Sequence, residues 1–321
     1  MKRIAFGFAL VFALAWACTA TAADKVRFRL NWVPGAEYAP FYLGKEKGFF
    51  VEQGIDIDIL PGEGSTVTAK LVGNRSADFG LAGADVVLMS NSRDLPLVSI
   101  GIMTQELPGG IIFPTDSGIK KLTDLYGKRL GVQLKSATEK QWRAVAKMAN
   151  LDVKKIIEVP ADRAIAQLIA NRTIDAGIAF YFNDGLKLVA EGVPMSWIPF
   201  SEHGLHFYAD ALITHPGMIK ENPDLVRRFG RAFVKAWSYA IANEKETLNS
   251  FLRQNPTIDP KYSALKLPVV LKMGQSPETK QHGFGYSSRD RWEEMQKMLI
   301  SMELMPAAVD VSKVATNEFL K

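Results

Sequence analysis

Apolar and polar positions along the chain switch repeatedly between a period of two and a period near 3.6. Residues 26–30 alternate and are rich in β-formers, and residues 55–60 interleave Ile with Asp as a half-buried strand does. Between them Pro40 and Gly48 bracket a helix carrying Phe41 and Leu43. Ser65 is placed to cap a helix running to about Val72, and Asp85 to cap one over residues 86–91. Residues 78–82 read as a short strand and 97–103 as a buried one. A helix follows near residues 122–126 and a strand at 129–133. Ser136-Ala137-Thr138-Glu139 is a capping box, and the helix behind it sets Trp142, Val145, Ala146 and Ala149 on one face. Strand, helix and strand recur at 156–159, 163–171 and 175–180. The alternation predicts an α/β fold with mostly parallel sheets flanked by helices.

A repeat groups these units. Residues 71–82 (Leu-Val-Gly-Asn-Arg-Ser-Ala-Asp-Phe-Gly-Leu-Ala) match residues 168–179 (Leu-Ile-Ala-Asn-Arg-Thr-Ile-Asp-Ala-Gly-Ile-Ala) at an offset of 97, with six of twelve positions identical. In each copy a helix ends, the chain turns, and Asp-x-Gly enters a strand. One supersecondary unit is thus used twice, once per lobe. The expected division is residues 24–110 with 214–321 in one lobe and 111–213 in the other, the chain crossing near 109–114 and 208–213. Residues 223–243 and 288–302 are expected as cladding helices. Leu225, Phe229, Phe233 and Trp237, spaced by four, are a core stripe.

The first 23 residues have the order of an export signal: a basic start at Lys2-Arg3, an uncharged apolar run over residues 4–17, then small residues with cleavage expected after Ala22 or Ala23. Anchoring as a lipoprotein through Cys18 is the lesser alternative, because Ala15-Trp16-Ala17 fits a lipobox poorly. Cys18 is the chain's one cysteine, so a disulfide framework and a thiolate metal cluster are both excluded. Lys and Arg number 39 against 34 Asp and Glu, with no basic block, so a nucleic-acid partner is not expected.

Catalytic constellations are mostly absent. There is no G-x-S-x-G, H-E-x-x-H, P-loop or G-x-G-x-x-G. His203 and His206 lead into a strand, where residues three apart face opposite ways, so no metal site is expected. What remains is a set of aromatic and small polar residues at strand ends and helix starts. Asn31-Trp32 follows the first strand and Tyr38 comes soon after. Gly64-Ser65-Thr66 and Ser136-Ala137-Thr138 place hydroxyls and free N–H groups at helix N-termini, beyond strand C-termini, where open α/β sheets bind ligands. Phe180-Tyr181-Phe182-Asn183 follows the repeat's second strand. Continued extension would put Tyr181 and Asn183 on one face. The candidate ligand-binding set is Asn31, Trp32, Tyr38, Ser65, Thr66, Asp85, Ser136, Thr138, Tyr181, Asn183 and Tyr208.

The segment from Asn31-Trp32-Val33-Pro34 through Tyr38-Ala39-Pro40-Phe41-Tyr42-Leu43 to Lys47-Gly48-Phe49-Phe50 and Gly54-Ile55 resembles the opening of the NMT1/THI5-like family. Gly64, Leu71-Val72, Asp78-Phe79-Gly80, the run from Leu122 to Lys128, and Asp175-Ala176-Gly177 fit the same family. The resemblance implies a two-lobed periplasmic binding protein of type II, related to nitrate, sulfonate and taurine binders. Its ligand would lie in the cleft and close a hinge, and its partners would be an ABC permease and its ATPase. In the pyrimidine-precursor branch the Trp at the position of Trp32 stacks on a heterocycle. The family's eukaryotic pyrimidine synthase uses a sacrificial His and a Cys-rich iron-binding segment. Here there is no His before His203 and no Cys after Cys18. The expectation is therefore a monomeric binder without cofactor, taking a small planar heterocycle such as a thiamine-pyrimidine precursor. A sulfonate or nitrate-type anion stands second and an exported enzyme of pyrimidine metabolism third.

Overall fold

The computed structural model describes residues 23–134, 136–161 and 164–321. The expected signal lies outside these residues apart from Ala23, as does the expected start of a helix at Arg163. No helix among the described residues is long and apolar enough to cross a membrane.

Ten strands form two five-stranded sheets. The first holds β1 (Asp24–Arg29), β2 (Ile55–Leu60), β3 (Phe79–Gly83) and β4 (Val98–Ile102). The second holds β5 (Gly109–Pro114), β6 (Arg129–Val132), β7 (Ile157–Pro160), β8 (Ala176–Phe180) and β9 (Met195–Pro199). The last strand, β10 (Asp210–Thr214), returns to the first sheet. The orders are β2-β1-β3-β10-β4 and β7-β6-β8-β5-β9, the same arrangement twice. In each sheet four strands run one way and the strand that arrives from the other sheet runs against them, β10 in one and β5 in the other. The expected mostly parallel sheets are therefore mixed, by one strand each.

This exchange of strands moves the expected crossings. Residues 109–114 are β5 itself, and 210–214 are β10, claimed by pairing with β3 and β4. The joining segments lie just ahead of each strand and run side by side. Leu107 N donates to Phe207 O at 2.9 Å, Ala209 N to Thr104 O at 3.0 Å and Met103 N to Asp210 O at 2.7 Å.

The repeat is one structural unit built twice. Arg27 Nε and Nη2 donate to the two Asp78 oxygens at 3.1 and 2.8 Å, and Nη2 reaches Arg75 O at 3.2 Å. Arg129 grips Asp175 at 3.2 and 2.8 Å and Arg172 O at 2.9 Å. Arg75 and Arg172 both take left-handed φ, +66° and +54°. These clasps are half exposed and screened by solvent, so they add little to stability; they set the register in which Asp-x-Gly enters its strand. Gly80 and Gly177 then lie under the preceding helix. A Cβ on Gly80 would meet Thr68 Cγ2 at 2.7 Å and Val72 Cγ2 at 2.9 Å, and one on Gly177 would meet Ile165 Cγ2 at 2.5 Å. Thr68 and Ile165 are again 97 apart.

The cladding helices form as their periodicity predicts, at Pro223–Ala242 and Arg289–Ser301. Leu225, Phe229, Phe233 and Trp237 are all buried. The Phe229 ring stacks on Phe79 of β3 at 4.1 Å, tying the C-terminal helices to the first sheet.

Gly177→Ala should overpack the contact between the second sheet and the helix Ile165–Ala170 and lower stability by about 1–3 kcal/mol. A denaturant titration reads this as an earlier midpoint at unchanged slope. An unshifted midpoint would mean that the helix slides away freely.

Candidate functional site

The strand ends and the joining segments enclose a cavity of about 370 Å³. The first sheet supplies its acids. After β1 the chain leaves the sheet and is pinned against the turn after β2: Gly62 N donates to Trp32 O at 2.9 Å and Gly64 N to Asn31 O at 2.8 Å. Only glycine allows this approach, because a Cβ on Gly62 would lie 2.0 Å from Leu30 O. The pinned turn presents Asn31 and Trp32. Trp32 stays 52% exposed at the cavity wall and is no part of the core.

Asn31 anchors a chain of hydrogen bonds. Tyr38, almost fully buried, donates its hydroxyl to Asn31 Oδ1 at 2.7 Å. Burial holds the Tyr38 hydroxyl well above the usual tyrosine range, so it remains a donor. Asn31 Nδ2 donates to Asp210 Oδ1 at 2.7 Å and reaches Ser65 Oγ at 3.4 Å. Ser65 Oγ in turn accepts from Gly83 N at 3.0 Å. Asp85 Oδ1 accepts from Val86 N at 2.8 Å. Burial pushes the Asp210 carboxyl up to about 6, the charges of Glu37 and Asp85 adding to it against the Asn31 hydrogen bond. Burial raises the Asp85 carboxyl as well. Glu37, only 7% exposed, pairs at 2.6 Å with Lys266, itself 4% exposed.

The second sheet supplies rings and amides: Phe180 at the end of β8, then Phe182 and Asn183, with Thr138 and Gln141 from the helix Ala137–Met148. The joining segments add Leu107, Pro108 and Ala209. Three carboxylates thus face the cavity, and no Lys or Arg is among its described lining residues. Such a site accepts hydrogen bonds from a neutral or cationic ligand, offers ring faces to a flat one, and repels an anion.

Asn31, Trp32, Tyr38, Ser65, Asp85, Thr138 and Asn183 of the expected set come together here. The other four do not. Thr66 is exposed on the outside of the helix Ser65–Gly73. Ser136 spends its hydroxyl on capping, accepting from Glu139 N at 3.0 Å and donating to Gln133 O at 2.6 Å. Tyr181 stacks on Trp197 at 5.2 Å, because residues 181–185 form a π-helical turn and the strand alternation stops at Phe180. Tyr208 is buried beneath the joining segment, accepting from Ser288 N at 2.9 Å, with Arg291 over its ring. The two presumed caps in the first lobe also differ from expectation. Gly64 and Gly83 occupy the cap positions, which leaves Ser65 and Asp85 in the first helical turns, free to serve the cavity.

Sequence reasoning missed Glu37, Asp210 and Gln141; it expected the segment 180–183 at the cleft but singled out Tyr181 with Asn183, where the structure brings in Phe180 and Phe182. Glu37 and Asp210 did carry a signal: each is an acid set in an otherwise apolar run, residues 36–43 and 207–213. Among the described residues, no group of three or more His, Cys, Asp or Glu is placed to hold a metal ion. None of the four histidines lines the cavity.

Known proteins are similar to this chain in sequence and in fold. The chain is 22% identical over 313 residues to the riboflavin-binding protein RibY of Chloroflexus aurantiacus, covering 92% of this chain and 86% of the relative. It is 24% identical over 305 residues to a formylaminopyrimidine-binding protein of Halalkalibacterium halodurans, covering 92% and 91%. A 4-amino-5-hydroxymethyl-2-methylpyrimidine phosphate synthase of Saccharomyces cerevisiae, THI11, is 27% identical over 248 residues, covering 74% and 73%. Among solved structures, the periplasmic aliphatic sulphonate-binding protein SsuA of Escherichia coli superposes with a TM-score of 0.68 at 12% identity, covering 90% and 91%, and shares the two-lobed fold. The NMT1/THI5-like family matches residues 36–247, the span that holds nine of the ten strands and all the cavity-lining residues named above except Asn31 and Trp32, and the chain belongs to that family.

Proposed function

We propose that the protein is an exported solute-binding component of an ABC import system. It captures a small planar heterocycle with a hydrogen-bond-donating edge, of the aminopyrimidine class. The observation that carries this is the pairing of ring faces with carboxylates: Trp32, Phe180 and Phe182 against Asp85, Asp210 and Glu37 in one cavity. Riboflavin and formylaminopyrimidine, the ligands named for two relatives, are both flat nitrogen heterocycles. An anion such as a sulfonate would enter against the carboxyls of Asp85 and Asp210, which no Lys or Arg among the described lining residues offsets, so the fold shared with sulfonate binders does not extend to their ligand. A synthase reading lacks support in the cavity, where no histidine or cysteine is among the described lining residues. The two sheets belong to two lobes that close on the ligand about segments 103–108 and 200–209, the protein acting as a periplasmic monomer that delivers to a permease and its ATPase.

Thermal-shift screening of the exported form against pyrimidines, flavins, sulfonates and nitrate tests the reading. A bound aminopyrimidine or flavin at about 100 Kd adds about 2.7 kcal/mol of stability. Stabilisation by sulfonates alone would overturn it.

Trp32→Ala should leave the melting temperature nearly unchanged, since the ring is half exposed, and weaken heterocycle binding by about 1–3 kcal/mol. Calorimetric titration decides. Unchanged affinity with a lowered melting temperature would make Trp32 a structural residue.

Asp210→Asn should separate stability from binding. The folded-state value of about 6 lies above the unfolded value near 3.8, so the protonated carboxyl is favoured by folding. Its contribution is full below the unfolded value and is lost as pH rises through about 6. At pH 7 the ionised carboxylate therefore weakens the unliganded fold. The Asn variant should be more stable there by on the order of 1–2 kcal/mol, with the gain gone near pH 4. Affinity should fall about tenfold or more with the loss of a charged acceptor. Melting curves at the two pH values and a titration at pH 7 check both halves.

A further inference from the structure

Lys266 lies outside the segment matched by the family and contacts the cavity only through other residues. It projects from the helix Pro260–Met273, whose Leu267, Val270 and Leu271 pack into the core of the first sheet. The same helix also grips the wall supplied by the second sheet. Tyr262 donates its hydroxyl to Phe182 O at 3.0 Å, Lys261 Nζ donates to Ala190 O, and Lys266 Nζ donates to Asn183 Oδ1 at 2.9 Å. Lys266 Nζ also lies 2.6 Å from Glu37 Oε2 and 4.9 Å from the centre of the Phe182 ring. One buried ammonium therefore touches three residues that line the cavity, Glu37 from one side and Phe182 and Asn183 from the other.

The chemistry of these contacts has a direction. An ammonium has three donors and no acceptor, so the group it meets on Asn183 must be the carbonyl oxygen. With Oδ1 turned to Lys266, the end of the Asn183 amide that faces away from it carries the two Nδ2 protons, which it can offer a ligand. Lys266 pairs directly with Glu37 and acts on Asp210 only through space, while Asp85 and Asp210 have no ion pair among the described residues. The cavity is thus polarised: acceptors on the side of Asp85 and Asp210, a donor on the side of Asn183.

We propose that Lys266 is the residue that sets this polarity, and that it selects heterocycles carrying a ring acceptor, such as an unprotonated ring nitrogen, opposite their N–H donor edge. Removing Lys266 frees the Asn183 amide to turn either face inward and abolishes the selection. Lys266 acts through Asn183 and Glu37, as a positioning residue. The inference rests on the heterocycle reading above and adds the pattern of donors and acceptors to it.

The test uses the exported full chain, with 4-amino-5-hydroxymethyl-2-methylpyrimidine and its two pyridine analogues, each with one ring nitrogen replaced by C–H, as probes. The parent should bind the pyrimidine at least tenfold more tightly than one of the two analogues. Lys266→Met should reduce that ratio to threefold or less, and Lys266→Arg, which keeps donors, should retain it. A ratio that survives in Lys266→Met while all affinities fall together would overturn the proposal and leave Lys266 a structural ion pair. Should Lys266→Met not fold, Asn183→Asp must show the same loss of discrimination, since it keeps an acceptor for Lys266 and has no donor for the ligand. A ligand-independent arm reads the side-chain amide resonances of Asn183 in a ¹H–¹⁵N spectrum. Lys266→Met (or Lys266→Ala, if Met does not fold) should shift them, and unmoved resonances would refute the contact. If the parent binds no pyrimidine, the heterocycle reading fails, and the role of Lys266 in orienting Asn183 is decided by the spectrum alone.

Discussion

The first sheet is completed by a strand that follows the whole of the second sheet in the chain. Its fourth strand in order, β10, comes after residues 109–199, which hold the other sheet, and it pairs on both edges, with β3 and with β4. Buried backbone donors and acceptors must find partners, so the return is obligatory. Everything about the cavity depends on this return. It brings the two joining segments side by side, it puts the strand ends of both sheets at one place, and it carries Asp210 to the side chain of Asn31, 179 residues earlier.

Two copies of one unit produce two different walls. The Arg–Asp clasp, the left-handed Arg and the close-packed Gly recur at an offset of 97 on the lower halves of the two units. At their upper ends the copies diverge. After β3 the chain enters a helix directly through Gly83, which brings in Asp85. After β8 it makes a π-helical turn, which brings in Phe180, Phe182 and Asn183. Such turns occur mostly as single-turn insertions in helices and are frequent at functional sites. The duplicated architecture is a scaffold, and the chemistry resides in the two departures from it.

The cavity holds more negative charge than it compensates. Among the described residues, Glu37 pairs with Lys266, while Asp210 accepts from the Asn31 amide and Asp85 from the Val86 N–H. Burying ionised groups without counter-charges costs stability, and the upward-shifted carboxyls are the expression of that cost. A site kept this way binds a donor-bearing ligand more strongly than a neutral, self-satisfied cavity would, because the ligand supplies the missing partners. On the proposed heterocycle reading, stability is given up in the unliganded protein for affinity in the bound one.

The fold class, the repeat and most of the helices and strands were legible in the residues, since hydrophobic periodicity and turn chemistry act over a few neighbours. Residues 55–60 and 223–242 are strand and helix on pattern alone. Most of the first wall was legible too, because Asn31, Trp32 and Tyr38 lie within one short segment whose composition is unusual. What the chain order concealed was every feature made by pairing across distance. Residues 109–114 and 195–199 carry too little alternation to be told as strands, and sheet pairing with distant partners makes them so. Tyr181 and Asn183 part company because the chain turns into a π-helical loop where a strand would have kept them on one face. Glu37, Asp210 and Lys266 look like stray charges in apolar segments, and only packing shows that the first and third neutralise each other while the second does not. Local interactions select elements; which charges meet, and which are left for a ligand, is decided by contacts between residues some 80 to 230 positions apart.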